Sequence, residues 1–284
     1  NSALQKVRNL YKAEKAGHTG ALDPLATGVL PICIGEATKV AGYLLGNDKA
    51  YIVTAQLGCT TDTDDAEGQV LQQRAIGVYS KQQIEQLLED FVGEIQQVPP
   101  IYSALKQGGE PMYVKARRGD VIDLPARTVH IHSISLNKLN ADTLELSVVC
   151  GTGTYIRSLV RDLGERLGCG AHVTELRRTW VQPFQSESLW TIEQLEALAE
   201  QGTEALDAVL MPVEVALSGI QKLIVDDEQA RKIGMGQKIT VSNMNEADEL
   251  IQLCSPKGRC LGLARLDASG LLKVQRLFCW ASIS

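Results

Sequence analysis

Apolar and polar positions along this chain follow two periods, and the switches between them mark out the elements. Leu4, Val7, Leu10 and Tyr11 recur at helical spacing within residues 2–15. Ser2 and Gln5 stand three apart as a capping pair, which predicts an amphipathic helix there. Residues 36–45 (EATKVAGYLL) read as a second helical segment stopped by Gly46. Residues 50–57 (AYIVTAQL) are rich in β-branched and aromatic side chains and predict a strand. Ser80 caps a helix running to Gly93, with Ile84, Leu87, Leu88 and Phe91 as its buried stripe. Pro111 and Gly119 bracket a short helix, and residues 127–137 and 143–150 alternate as paired strands. The glycine turn of GTGTYIRSLVRDLGERLG (151–168) feeds a helix, AHVTELRRTWVQPF (171–184) reads as a strand, and TIEQLEALAEQG (191–202) as a helix.

Strands and helices thus mix through residues 1–215 without a strict βαβ rhythm, which predicts an α+β domain on a mixed or antiparallel sheet. The texture changes near MPVEVALSG (211–219). Beyond it, ARKIGMGQKITV and GRCLGLARLDASGLLKVQRLF suggest a compact β-rich module over residues 216–284. The length of 284 residues and the 44% apolar content fit two globular domains or one large one. The chain opens without Met, and a further N-terminal element ahead of residue 1 is expected. No run of about 18 apolar residues spans a membrane and no secretory signal is visible. The seven cysteines are scattered with no CxxC pair, which argues against a zinc site or disulfide framework and for a reducing cytoplasm.

A net charge of −6 does not advertise a nucleic-acid binder, but charge is uneven: 106–119 and 175–180 are basic, 61–68 and 244–250 acidic. The stretch GHTGALDPLATGVLP (17–31) carries the candidate chemistry. Gly17, Gly20 and Gly28 permit close backbone approach, and Pro24 at a helix N1 position would set Asp23 at the cap, where the helix dipole favours the anion. An ionised carboxylate on a rigid turn can serve as a nucleophile; the plain alternative is an Asp-Pro turn. GTGTYIR (151–157) is no phosphate loop, because no GK[ST] follows and Ile156 replaces the last glycine. Arg157 is then either a helix-surface residue or a two-point partner for a buried carboxylate. TDTDDAEG (61–68) lacks the calcium-loop pattern, with Ala66 and Glu67 at the critical positions, and reads as a solvated loop. His130, His132 and His172 form no metal spacing and read as surface or packing residues. Tyr51 is a routine strand aromatic or a platform on which a base stacks.

GHTGALDPLATGVLP, KAYIVTAQLG, GTGTYIRSLVRDLG and AHVTELRRT, in this order, resemble the tRNA pseudouridine-55 synthases of the TruB type, over nearly the whole chain. The resemblance implies a pseudouridine synthase catalytic domain over 1–215 and a PUA-like RNA-binding domain over 216–284. It implies that a uridine in the tRNA T stem-loop is detached at N1–C1′, rotated and rejoined through C5, with no cofactor and no metal. Asp23 takes the family's catalytic position. Tyr51 lies against the uracil, Arg157 pairs with the aspartate, Leu176 packs near the base, His18 contacts the substrate loop and Lys39 faces the tRNA. Lys106, Lys115, Arg117, Arg118, Arg177 and Arg178 are assigned to the RNA backbone, since an RNA loop is held largely through its phosphates. Their plain alternative is a solvated charged face. A monomer with no obligate protein partner is expected, in the cytoplasm.

Three other readings compete. A non-catalytic RNA-binding or tRNA-folding factor would tolerate loss of the Asp23 charge. An RNA-guided relative would carry partner-binding extensions. A small-molecule hydrolase would need a second positioned carboxylate, which no motif supplies.

Overall fold

The computed structural model describes residues 2–103, 106–107, 109–118, 124–185, 189–241, 249–267 and 269–282. They form two compact units, one from Asn1–Ala21, Leu30–Leu45 and Pro183–Ser284, the other from Leu22–Val29 and Gly46–Gln182.

The second unit is built on a six-stranded sheet. Its strands are β1 (Thr27–Gly28), β2 (Lys49–Leu57), β3 (Gly93–Gln97), β4 (Arg127–Leu139), β5 (Thr143–Cys150) and β6 (Ala171–Val181). They lie in the spatial order β1-β6-β2-β5-β4-β3, all pairs antiparallel except β1 with β6. The mixed sheet predicted from the sequence is present. Alternation fixes its faces: Tyr51, Val53, Ala55 and Leu57 of β2 and Leu144, Leu146, Val148 and Cys150 of β5 share one buried face. Two helices cover it, α1 (Lys81–Glu89) through Ile84 and Leu88, and α2 (Ile156–Arg166) through Ile156, Leu159, Val160 and Leu163. Each fully buried aliphatic side chain contributes about 1.5–3 kcal/mol, so this shared face is the main source of the unit's stability. Gly164 lets α2 lie directly on the start of β6, since a Cβ there would overlap the Ala171 backbone nitrogen.

In the first unit, Val7 of the helix Ser2–Leu10 packs with Leu195 and Leu206, and the Tyr11 hydroxyl donates to Leu206 O at 2.8 Å. Ala16–His18 pairs with Ile32–Ile34. The same unit holds a four-stranded sheet of β7 (Gln221–Ile224), β8 (Leu250–Cys254), β9 (Cys260–Leu266) and β10 (Leu272–Leu277). Helix α3 (Asp227–Gly234), with an Asp226–Gln229 capping box, buries Ala230 and Ile233 in the same cluster as that sheet.

Several elements depart from the sequence pattern. The first helix stops at Leu10 rather than 15, because Lys12 turns to φ 47°. Residues 36–45 split into a 3-10 turn, Gly35–Lys39, and a single α turn, Ala41–Leu44. β3 (GEIQQ) and the hairpin Cys59–Thr61/Val70–Gln73 escape the pattern because their outward residues are polar or the strand is wholly exposed. The texture change at 211–219 falls inside the first unit.

Replacing Gly164 with alanine should cost about 1–3 kcal/mol, the range for overpacking a close contact. Urea unfolding checks this; an unchanged midpoint would mean that α2 and β6 have room to separate.

Candidate active site

Asp23 begins a β-turn. The Ala26 N–H donates to Asp23 O at 2.9 Å, with Pro24 at the position where a fixed φ favours the turn. No helix follows, so Asp23 is not the helix cap that the sequence suggested, and a different charge holds its anion. The chain then runs into β1, where Gly28 has φ 104° and a Cβ would overlap the Arg178 carbonyl. Only glycine brings the loop this close to β6. Gly20 also has positive φ, whereas a Cβ on Gly17 would meet nothing.

The holder is Arg157, the second residue of α2. Its Nε donates to Asp23 Oδ2 at 3.0 Å and its Nη2 to Oδ1 at 2.8 Å, a parallel two-point pair. The guanidinium is 5% exposed and donates further to Thr63 O at 2.9 Å and Tyr102 O at 3.1 Å. Gln97 fixes the start of the helix: its amide donates to Tyr155 O at 3.1 Å and accepts from the Tyr155 N–H at 2.8 Å.

A second carboxylate also reaches this arginine. Asp65 Oδ2 lies 3.3 Å from Arg157 Nη1, and Asp65 is 2% exposed. Its Oδ1 accepts from the Thr63 hydroxyl at 2.5 Å and the Glu67 N–H at 3.0 Å. The segment 61–68 is therefore not the solvated loop its charge implied. Ala66 N–H donates to Val173 O at 2.8 Å and Val173 N–H to Asp64 O at 3.0 Å, which stitches the loop to β6. Asp64, at φ 62°, pairs with Arg161 at 3.0 Å. The signal that could have shown this is Arg157 and Arg161, one helical turn apart on a helix with an otherwise apolar inner face.

Burial pushes the Asp23 carboxyl above its ordinary range; Arg157 opposes the shift and Asp65 adds to it. Burial pushes Asp64 up to about 6 against the pull of Arg161 and Arg157. Tyr51, 9% exposed, has its phenol raised mainly by burial. It stands opposite Arg178 across β2 and β6, while Leu176, 5% exposed, stands opposite Val53 in the same pair.

Asp23, Tyr51, Arg157 and Leu176 belong to one unit; His18 and Lys39 belong to the other. His18 ends the strand Ala16–His18, with Nδ1 buried and no hydrogen-bond partner among the described residues. Lys39 Nζ binds Glu36 Oε2 at 2.7 Å and Leu277 O at 2.8 Å. Of the basic residues, Arg177 is exposed and touches Thr27 Oγ1 at 3.4 Å, Lys115 is half-buried, and Arg118 is exposed beside Glu110 at 3.1 Å. The side chains of Lys106 and Arg117 lie outside the described residues. Arg178 does not sit on the surface as expected. It is 1% exposed, because β6 alternates and position 178 faces inward, where its Nε donates to Val29 O at 2.7 Å. His132 pairs with Asp48 at 3.0 Å and His172 Nδ1 lies 3.0 Å from Cys59 O; no group of metal-holding side chains occurs among the described residues.

Three family descriptions match consecutive stretches of the chain. The TruB family pseudouridylate synthase N-terminal domain covers residues 8–156, the tRNA pseudouridylate synthase B C-terminal domain 157–218, and the pseudouridine synthase II TruB C-terminal region 222–278. The tRNA pseudouridine synthase B of Xanthomonas euvesicatoria is 51% identical over 98% of this chain and 89% of its own length. The proteins of the same name from Xylella fastidiosa and Mannheimia succiniciproducens are 49% and 46% identical, each over 98% of this chain and 91% of their own. Among solved structures, a Cbf5–Nop10–Gar1 complex matches with TM-score 0.75 at 24% identity, covering 97% of this chain and 80% of that one. An H/ACA RNP bound to a substrate RNA containing 2′-deoxyuridine matches with TM-score 0.75 at 23% identity, covering 98% and 80%. At that identity the likeness is one of fold.

Two outcomes follow from the buried charges. Arg157→Met leaves two carboxylates facing an apolar side chain and should cost about 3–5 kcal/mol in chemical unfolding at neutral pH. Asp64 is more easily protonated folded than unfolded, so its contribution to stability is present below its unfolded value near 3.8 and is lost as pH rises through about 6. Wild type minus Asp64→Asn should therefore fall between pH 4 and 7 by on the order of 3 kcal/mol, asparagine being chosen because it tolerates the left-handed backbone. A flat difference would contradict the burial of this acid.

Proposed function

Because the chain belongs to the TruB family of pseudouridylate synthases, we propose that it isomerises uridine 55 in the T stem-loop of tRNA to pseudouridine. The observation that carries this reading is the Asp23 carboxylate, set on a turn and gripped at both oxygens by one buried guanidinium. Asp23 is the reactive group rather than Asp65. Its side chain is 31% exposed and reachable, whereas that of Asp65 is 3% exposed and enclosed.

In this reaction the N1–C1′ bond breaks, the uracil turns, and a C5–C1′ bond forms while the C5 hydrogen leaves as a proton and the freed N1 takes one up. Electrons balance within the substrate, so no oxidant, reductant or cofactor is required. Attack at C1′, attack at C6 and a route through a glycal all need an ionised acid at this point, and Arg157 supplies that condition by favouring the anion. The base is reached by flipping, at a cost of a few kcal/mol. A stacking face at Tyr51 offsets part of it, about 1–3 kcal/mol. Leu176 closes the apolar side of the base, and His18 and Lys39 meet the substrate loop. Lys106, Lys115, Arg117, Arg118 and Arg177 meet the RNA backbone. The module from residue 216 onward serves as a PUA-like RNA-binding domain. The protein acts as a monomer in the cytoplasm; no described helix is long and apolar enough to cross a membrane.

The test uses a tRNA transcript tritiated at uridine C5. Wild type should release tritium from position 55, and Asp23→Asn should release none while binding tRNA as tightly. Release by both would remove Asp23 from the chemistry. Binding without release by wild type would favour an RNA-folding role.

A further inference from the structure

Arg178 is among the largest fully buried side chains of the protein, and its neighbour Arg177 is exposed. Taking a guanidinium out of water costs several kcal/mol even after the surroundings relax. An aliphatic residue at this inward position of β6 would fill the core without that cost. The environment adds to it, because Lys49, a second cation, lies within electrostatic range. What the arginine touches accounts for its place. Its backbone carbonyl accepts from the Val29 N–H at 2.9 Å, and its side-chain Nε donates to Val29 O at 2.7 Å. One residue thus holds both polar groups of Val29, six positions after Asp23. Without that grip, β1 is joined to β6 over only two register pairs, Arg177 with Thr27 and Arg178 with Gly28. On the other side, Arg178 stands directly opposite Tyr51 in the register of β2 and β6, with its charge within electrostatic range of the phenol.

We propose that Arg178 is a positioning residue for the isomerisation: it fastens the far end of the Asp23 loop to β6 at the register position directly opposite Tyr51. Arg157 fixes the loop at the carboxylate and Arg178 fixes it at Val29, so the spacing between acid and ring is set from both ends. The planar guanidinium is needed because it presents Nε–H to the Val29 carbonyl in a fixed direction, partway along the side chain, where a lysine has only a methylene. The proposal rests on the reading of Asp23 as the reacting acid.

Arg178→Lys keeps the charge and loses the Nε contact; Arg178→Met loses both. Single-turnover tritium release should fall about tenfold in the first and about a hundredfold in the second, the scale expected for misplacing a reacting group by an ångström. The tRNA Kd should stay within about twofold, and its salt dependence should not change. The Val29 amide should exchange with solvent faster in Arg178→Lys than in wild type. Unchanged turnover in both variants would overturn the proposal. So would a weakened Kd whose salt slope drops by about 1, because that marks a phosphate contact. Should neither variant fold, the wild-type protein still decides: its Arg178 Nε–H must be protected from solvent exchange by NMR, and rapid exchange would refute the grip. If wild type itself releases no tritium while Nε–H is protected, the assigned reaction fails rather than the clamp.

Discussion

Everything around the candidate site depends on one ion pair, the two-point contact of Arg157 with Asp23. Burial favours a neutral carboxyl, and a neutral carboxyl can neither attack carbon nor take a proton. The guanidinium opposes that tendency, and its planar edge also fixes which way the two oxygens point. Such a cation is expensive to bury and is held by more than its principal partner. Asp65 and the carbonyls of Thr63 and Tyr102 fill the rest of its donor set. The two carboxylates are therefore not equivalent. Asp65 is enclosed, and Asp23 keeps an accessible face.

The fold serves this contact by bringing four separate stretches of chain to one place. α2 carries Arg157 and Arg161 on successive turns, and Gln97 at the end of β3 binds the peptide groups at the start of that helix. The loop at 61–68 is sewn to β6 through Val173. The Asp23 loop is seated on the same strand further along, through Gly28 and Val29. Strand β6 is thus the common frame: it pairs with the strand of Tyr51, carries Leu176 and Arg178, and receives both loops.

Much of this was legible in the sequence. GHTGALDPLATGVLP singled out Asp23, GTGTYIR offered Arg157 as a carboxylate partner, and β-branched and aromatic content placed Tyr51 on a strand. Other features were hidden for physical reasons. The helix expected after Pro24 is absent, because a proline after an aspartate suits a β-turn as well as a helix start. The loop 61–68 looked solvated because three aspartates in four residues resemble a surface. The partners of two of them stand far along the chain: Asp65 meets Arg157, 92 positions away, and Asp64 meets Arg161, 97 positions away. Arg178 looked like a surface charge because composition cannot show that an arginine occupies the inward phase of a strand. Its phase follows once Leu176 is read as inward, since alternate residues share a face.

The most direct test of the central claim is the titration of the Asp23 carboxyl, followed by carbon-detected NMR in wild type, Arg157→Gln and Asp65→Asn. The account requires a wild-type midpoint above the ordinary 3.8, a further rise without the guanidinium, and a fall when the neighbouring negative charge is removed. An ordinary midpoint in wild type that neither substitution moves would contradict it.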